Sequence, residues 1–361
     1  MVNMNSVVEV RKTELHDARV TTTEQAPLTP GQARLAIDSF GITANNVTYA
    51  VFGEMMSYWS FFPAPTGGDY GVVPVWGFAT VAETTVDSLE VGERVYGYFP
   101  MGEELVVKPE RITASSFVDA TAHRVELPAI YNNYTRCAGD PTYDADNEDA
   151  RMLLQPLFFT SFLIDDFLAD AGFFQAAQVV VTSASSKTGF GTAHLLHQRD
   201  GITVIGLTSE SNRDFVESLG CYDSVFSYDQ IDSVPGGPAV LIDFAGNRNV
   251  VRAVHEHCGD DLKHSAVIGG THWDADRPDP APMPGPGQEF FFAPTRIQAR
   301  AKDWGMAELQ NRLAAKWEGF LALADESLTV EHLDGLEAAV DVYLDVLGGQ
   351  ASPSTARTVR L

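Results

Sequence analysis

Along residues 1–145 the apolar positions come in short, β-branched and aromatic runs punctuated by Gly, Pro and Asp. Val7–Arg11, Ala33–Phe40, Gly71–Ala82, Arg94–Phe99 and Glu104–Val107 are each compatible with a strand, and together they predict a barrel-like β domain. Cys137–Asp149, with Asp140, Asp144, Asp146, Glu148 and Asp149, reads as a polar linker or surface loop. The period then changes. Met152–Ala171 is apolar on most sides, as a buried helix would be. Strands over Gln178–Thr182, Thr203–Leu207, Ser224–Ser227, Ala239–Phe244 and His264–Gly269 alternate with helices over Thr188–Arg199, Ser211–Leu219 and Val250–Cys258. That alternation predicts a parallel sheet covered on both faces. The alternating prolines Pro278, Pro280, Pro282, Pro284 and Pro286 form a stiff loop, either a cap on a cleft or a surface insertion. Phe290–Phe292 reads as one more buried strand, Ala301–Asp325 and Val330–Leu347 as helices, and Thr358–Leu361 as a closing strand. The expected division is 1–145, 146–300 and 301–361, the last part returning to the first domain.

Charge narrows the partners. The 361 residues carry 49 Asp and Glu against 24 Lys and Arg, a formal charge of −25, and the basic residues include only 6 lysines. Such a surface repels phosphate backbones and anionic bilayers, so no nucleic-acid or membrane partner is expected. Cys137, Cys221 and Cys258 are widely spaced and form neither a zinc pair nor a disulfide framework. No stretch approaches a membrane span, and the first residues lack a signal-peptide pattern. A soluble, cytoplasmic protein is expected.

The segment Val179–Gly191 carries the most specific chemistry. A β-branched strand runs through Thr182 into Ser183, Ala184, Ser185 and Ser186 and opens a helix at Lys187, Thr188 and Gly189. Small residues let backbone amides approach a pyrophosphate, and a helix N-terminus attracts its charge. A tight strand-to-helix turn with no ligand has the same composition. Lys187 opposes the helix dipole unless an anion lies nearby or its side chain reaches solvent. The next strand ends at Thr208 and Ser209, with Arg213 following, where an NAD site places an acidic residue for the ribose hydroxyl. Hydroxyls plus an arginine favour the 2′-phosphate of NADP(H), against which nearby Glu210 argues.

In this order the chain resembles the medium-chain dehydrogenase/reductase superfamily, in particular its zinc-free, quinone-oxidoreductase-like branches. Gly31–Leu35 with Ser39–Asn45 resembles the family's first long strand and Gly-Ile-Asn turn. Leu89–Gly97 resembles its "VGDRVYG" segment, and Thr182–Gly189 its "HGASGGVG" fingerprint with Lys187 in place of a glycine. Leu219–Asp223 resembles the "LGAD" step, Asp243–Gly246 the "DxxG" strand end, and Thr358–Leu361 the closing strand. The resemblance implies an α/β protein with a GroES-like β-barrel domain and a Rossmann doubly wound parallel-sheet domain, and NADP(H) bound between them. Where zinc members carry Gly-His-Glu, this chain has Pro74–Ala79, and the four-cysteine lobe is missing, so no metal is expected. The resemblance places Asn45, Tyr49, Tyr131, Tyr134 and His272 as candidates for proton delivery or carbonyl polarisation, with Tyr58 and Trp59 in a neighbouring aromatic run. It places Gly269 and Gly270 at the nicotinamide. The implied activity is hydride transfer from NADPH to a small-molecule enone, quinone or ketone. A non-redox lyase or hydrolase on the same cleft, and a nucleotide-bound sensor without chemistry, are the alternatives. The Phe290–Phe292 strand resembles the edge through which relatives form homodimers.

Overall fold

The computed structural model describes residues 3–269 and 283–361, and these divide into two compact units. The first comprises Met1–Leu153, Val330–Ala351 and Thr355–Leu361. Its elements are β1 (Met4–Arg11), β2 (Glu14–Glu24), β3 (Ala33–Ile42), α1 (Ala44–Val51), β4 (Tyr70–Gly71), β5 (Pro74–Thr84), β6 (Arg94–Pro100), β7 (Glu104–Val107), β8 (Pro109–Glu110), β9 (Ser116–Asp119), β10 (Asn133–Arg136) and α2 (Glu148–Leu153). The second comprises Leu154–Thr329 and Ser352–Ser354. It holds α3 (Gln155–Asp170), β11 (Gln178–Val181), α4 (Lys187–Leu196), β12 (Thr203–Thr208), α5 (Arg213–Ser218), β13 (Ser224–Ser227), β14 (Ala239–Asp243), α6 (Arg248–Cys258), β15 (Leu262–Val267), β16 (Gln288–Phe290), α7 (Ala293–Trp304) and α8 (Met306–Ser327). The chain then supplies β17 (Thr329–Asp334), α9 (Gly335–Leu347) and β18 (Thr355–Arg360).

In the first unit β3 pairs antiparallel with β5, β7 and β18, and β5 with β6, inside a nine-stranded sheet ordered β17-β18-β3-β5-β6-β10-β9-β8. A three-stranded sheet, β2-β1-β4, completes it. The pairing Gly97↔Gly77 sets two glycines side by side, and a Cβ on Gly97 would collide with the ring of Tyr134. That ring also stacks on Phe117 at 5.3 Å. One buried ion pair anchors this end of the sheet. Arg124 and Asp119 are almost wholly buried and bonded to each other, and Asp119 also accepts from the amides of Lys108 and Thr121. The main-chain oxygen of Arg124 accepts from the Asn132 side chain at 2.7 Å, which fixes the turn carrying Tyr131.

The second unit is a six-stranded parallel sheet ordered β13-β12-β11-β14-β15-β16. Numbered within the unit this is the 3-2-1-4-5-6 order of a Rossmann fold, whose direction of winding reverses between β11 and β14. Val179, Val180, Val181, Leu241 and Ile242 are buried, as both-face coverage requires.

Some sequence expectations are corrected. The acidic 137–149 segment is not a plain loop but holds short helical turns leading into α2. The helix expected over 152–171 is two helices meeting at Leu154, and the one expected over 301–325 is broken at Gly305, whose φ of +84° a continuous helix does not allow. Val330–Asp334 is strand rather than helix. The Phe290–Phe292 run is not a buried strand: among the described residues β16 is the last strand of its sheet, and Phe290 is 43% exposed. Among the described residues no helix is long and apolar enough to cross a membrane.

Replacing Arg124 with Met would leave the Asp119 carboxylate buried without its counter-ion. A loss of about 3–5 kcal/mol in urea unfolding is expected, together with loosening of the Asn132 turn.

Candidate functional site

At the C-terminal end of β11 the chain makes the turn that a phosphate site needs. Thr182 is buried, and Ser183 adopts φ +48°, the left-handed conformation that usually falls to glycine. The Ser183 amide donates to the Tyr228 hydroxyl at 3.1 Å, and the Ser186 amide to the Ser183 carbonyl at 2.8 Å. Ser186 is the N-cap of α4, its Oγ accepting from the Gly189 amide at 3.1 Å. A Cβ on Gly189 would lie 2.8 Å from both the Ser183 carbonyl and Ser186 Oγ, so the turn closes this tightly only over glycine. Lys187 and Thr188 stand in the first turn of α4, half-buried, where helix amides lack acceptors within the helix. On the far side, α3 packs against α4 through Ser161, which donates to the Thr188 carbonyl at 2.9 Å.

Thr208 is buried at the end of β12 and lies 3.5 Å, oxygen to oxygen, from Ser185. Ser185 Oγ also accepts from Asn212 Nδ2 at 3.1 Å. Ser209 pairs with Ser211 at 3.0 Å. Arg213 opens α5 and spends its guanidinium on Glu217 at 2.9 Å and, more weakly, on Gln230 at 3.4 Å. Ser183, Ser185, Ser186, Thr188 and Gly189 therefore form one continuous turn, with Lys187 at its helical end and Thr208 bordering it through Ser185. Arg213 is directed along its own helix. Gly270 and His272 lie outside the described residues.

The residue that joins these parts stands in the sequence only as the start of a strand-end motif. Asp243 ends β14, directly across the winding reversal from Thr182, and the Thr182 hydroxyl donates to its Oδ1 at 2.6 Å. The same oxygen accepts from the amides of Ala245 at 3.1 Å and Gly246 at 3.2 Å. Thr182 Oγ1 in turn accepts from the amide of Phe244 at 3.0 Å. The Asp243 main-chain carbonyl accepts from the amides of Ile268, at 2.8 Å, and Gly269, at 3.4 Å. Three strand-end segments, after β11, β14 and β15, thus converge on one residue, the first two through its carboxylate and the third through its main-chain oxygen. Its burial pushes the carboxyl up from an ordinary 3.8 to about 6, with Thr182 and the two amides opposing that rise.

In the first unit, α1 is started by a capping box: Thr43 accepts from the Asn45 amide, while its own amide donates to Asn46 Oδ1. Buried Asn46 ties the helix to β5 by donating to the Pro74 carbonyl at 2.8 Å. Tyr49 follows one turn later on the same face and accepts from the Trp76 indole at 3.1 Å. Tyr49, Tyr58, Tyr98 and Tyr131 share one cluster with Phe61 and Phe62, with ring centroids as close as 4.6 Å. Burial raises the ionisation of all four phenols above its ordinary range. Asn45, half-buried, lies beside Tyr49. Tyr134 lies apart from this group in its bonding: it donates to the Tyr98 carbonyl at 2.7 Å and accepts from Arg124 at 3.3 Å, so its hydroxyl is fully used. Trp59 is wedged between Gly53 and Gly71, where a Cβ on either glycine would strike it. Among the described residues no three His, Cys, Asp or Glu side chains are grouped to hold a metal ion.

Residues 40–352 match the family described as "Protein of unknown function (DUF2855)". The chain belongs to the DUF2855 family. No curated protein sequence matches this DUF2855 chain significantly. Solved structures resemble it over nearly their whole length at low identity. CurA from Vibrio vulnificus in complex with NADPH is 15% identical, with a TM-score of 0.63 and 99% of each chain covered. The yhdH oxidoreductase from Salmonella enterica in complex with NADP is 15% identical, with a TM-score of 0.57 and 99% of each chain covered. A point mutant of Etr1p in complex with NADP and crotonyl-CoA is 12% identical, with a TM-score of 0.58 and 100% of each chain covered. The DUF2855 chain thus has the fold of the medium-chain dehydrogenase/reductase superfamily, a GroES-like domain and a Rossmann domain.

Asp243 binds its proton more tightly in the folded chain than in an unfolded one. Its contribution to stability is therefore complete below roughly pH 4 and is lost as the pH rises through about 6. Relative to Asp243→Asn, the wild-type chain should lose on the order of 2–3 kcal/mol between those limits. Denaturant midpoints compared across pH 4 to 8 read this difference directly.

Proposed function

We propose that this protein is a zinc-independent, NADPH-dependent oxidoreductase that reduces a small enone, quinone or ketone. The observation that carries the reading is the turn at Ser183–Gly189, set at the winding reversal of a 3-2-1-4-5-6 sheet, where such folds bind dinucleotides. The fit is geometric. Gly189 leaves a cradle that a Cβ would fill, Ser183 takes the left-handed backbone that brings its neighbours' amides round, and α4 presents its positive end. The three similar structures named above are described in complex with NADP or NADPH, one of them as an oxidoreductase, which agrees with this choice of cofactor.

In this reading Ser183, Ser185, Ser186, Thr188 and Gly189 line the pyrophosphate, and Lys187 adds a cation in a chain of charge −25. Thr208 and Ser209 receive the adenosine ribose. Arg213 serves a 2′-phosphate by exchanging its bond to Glu217, which is solvent-facing and weak. Gly269, at the end of the segment after β15, borders the nicotinamide ring. When bound, the cofactor supplies a hydride. The chain supplies orientation and a proton. Among the tyrosines, Tyr49 is the best donor: it accepts from Trp76, so its own proton is uncommitted to that bond, whereas Tyr134 spends its proton on a backbone carbonyl. Tyr131 pairs with Tyr58 at 3.3 Å, and Asn45 supports Tyr49. A substrate of this class, a cytoplasmic location and a homodimer built on the exposed β16 edge complete the proposal.

NADPH titration and turnover against a panel of enones, quinones and ketones test it. Lys187→Ala should weaken NADPH binding about tenfold, and Tyr49→Phe should bind NADPH normally but turn over about 10²-fold or more slowly. Absence of NADPH binding by the wild-type chain would overturn the reading. Sedimentation should give twice the chain mass of 39.2 kDa, and Phe290→Glu should give the monomer.

A further inference from the structure

A phenol has one proton to give and two lone pairs to receive, whereas an indole N–H can only donate. That asymmetry orders the tyrosine cluster. Between Trp76 Nε1 and Tyr49 Oη, 3.1 Å apart, the tyrosine must accept, so the Tyr49 proton points to some other acceptor. Tyr58 and Tyr131 face each other at 3.3 Å, and either can be the donor. Tyr98 is wholly buried, its hydroxyl has no hydrogen-bond partner, and its ring stands edge-on to Tyr49 at 5.5 Å. A buried hydroxyl left unpaired is costly, and a core of this kind filled by phenylalanine would avoid the cost.

Trp76 is placed independently of Tyr49. Its ring stacks on Tyr96 at 5.7 Å with 23° between the planes, and it sits on β5, paired with Tyr98 of β6. The indole is thus held by its own strand and by a neighbour's ring, and its N–H is aimed at a fixed point. We propose that Trp76 is a positioning residue for Tyr49: its indole N–H turns the Tyr49 hydroxyl so that the proton faces the substrate, and it stabilises the phenolate left when that proton is given up. The step is a simple transfer. The Tyr49 O–H bond breaks, a bond forms from that proton to the substrate atom bearing the electron pair, the negative charge passes to Tyr49 Oη, and water returns the proton afterwards. Such a donor is worth most where water is excluded, because it needs no reorientation when the charge appears. Burial and the neighbouring Tyr58 oppose ionisation of Tyr49, while the bond from Trp76 and the adjacent polar side chain of Asn45 favour it. The proposal rests on the reading of Tyr49 as the proton donor and adds the residue that makes a buried phenol able to act.

The test places 2,3,5-trifluorotyrosine at position 49 of the full chain, which brings the phenol's titration into the accessible range, and follows it by fluorine NMR. In a Trp76→Phe background the titration should move up by about one to two pH units, the loss expected of one bond to a charged oxygen. A titration that stays put or moves down overturns the role of Trp76. Should Trp76→Phe fail to fold, β-(3-benzothienyl)alanine at position 76 keeps the shape and removes only the N–H, and the same upward shift is required of it. Turnover separates the two layers. Tyr49→Phe with wild-type turnover removes Tyr49 as donor and the present proposal with it. Tyr49→Phe without turnover, combined with an unmoved titration, removes the role of Trp76 alone.

Discussion

The bond between the Thr182 hydroxyl and the Asp243 carboxylate is the constraint on which the second unit's working edge depends. β11 and β14 lie side by side in the sheet, but the chain leaves them in opposite directions, and a crevice opens between their ends. Nothing in a parallel ladder holds two such departing loops together, because ladder bonds stop where the strands stop. Here a side chain from each strand end continues the pairing for one more step. Asp243 then gathers the amides of its own turn, and its main-chain oxygen takes up the segment after β15. Burying a carboxylate there is expensive, and three donors on one oxygen meet only part of that cost. The expense is localised where three loops must be held at fixed spacing.

The first unit solves a different problem with a different kind of polar group. Its tyrosine cluster fills space as phenylalanine would, but it also carries several hydroxyls whose bonds must be directed. Direction is set by partners with a single role: the indole of Trp76 can only donate, and the carbonyl of Tyr98 can only accept. These two fixed ends sort otherwise similar side chains. Tyr134 becomes a structural strut, packed on Gly97 and tied to a backbone oxygen, while Tyr49 keeps a proton to offer. Chemical identity alone does not separate the two residues; the neighbours do.

Much of this architecture was legible in the residue pattern. The alternation of strand and helix after residue 150, the small-residue turn into α4, and the long first-unit strands all follow from periodicity and turn chemistry. The misreadings have specific causes. Phe290–Phe292 looks buried because an apolar triplet does not say whether its strand has a neighbour on the far side. The stretch from Val330 reads as helix because α9 begins only five residues later, and the break at Gly335, with φ +83°, is not visible in apolar spacing. In the candidate site, Ser183–Gly189 was recognisable because helix N-termini and small residues act locally. Asp243 was seen as the start of a strand-end motif but not as a bonding partner, since its bond to Thr182 spans 61 positions in sequence. Arg213 was singled out by type, and only the structure shows it directed toward Glu217.

Unfavourable features occur in several places, among them the left-handed run Phe173–Gln175 and the unpaired buried hydroxyl of Tyr343, and both candidate sites hold more than one. A serine in left-handed backbone, a lysine at the positive end of a helix, and a buried carboxylate all fall within the turns at one edge of the parallel sheet. An unpaired buried hydroxyl and a set of phenols held neutral by burial fall within one cluster of the first unit. Each would be relieved by an ordinary substitution, glycine for Ser183 or phenylalanine for Tyr98, with little change to the surrounding fold. Local violations of folding preference that cluster in this way mark places where a sequence answers to something besides stability. On that ground the turn at Ser183–Gly189 and the Tyr49–Trp76 pair are the places where such features coincide with candidate chemistry.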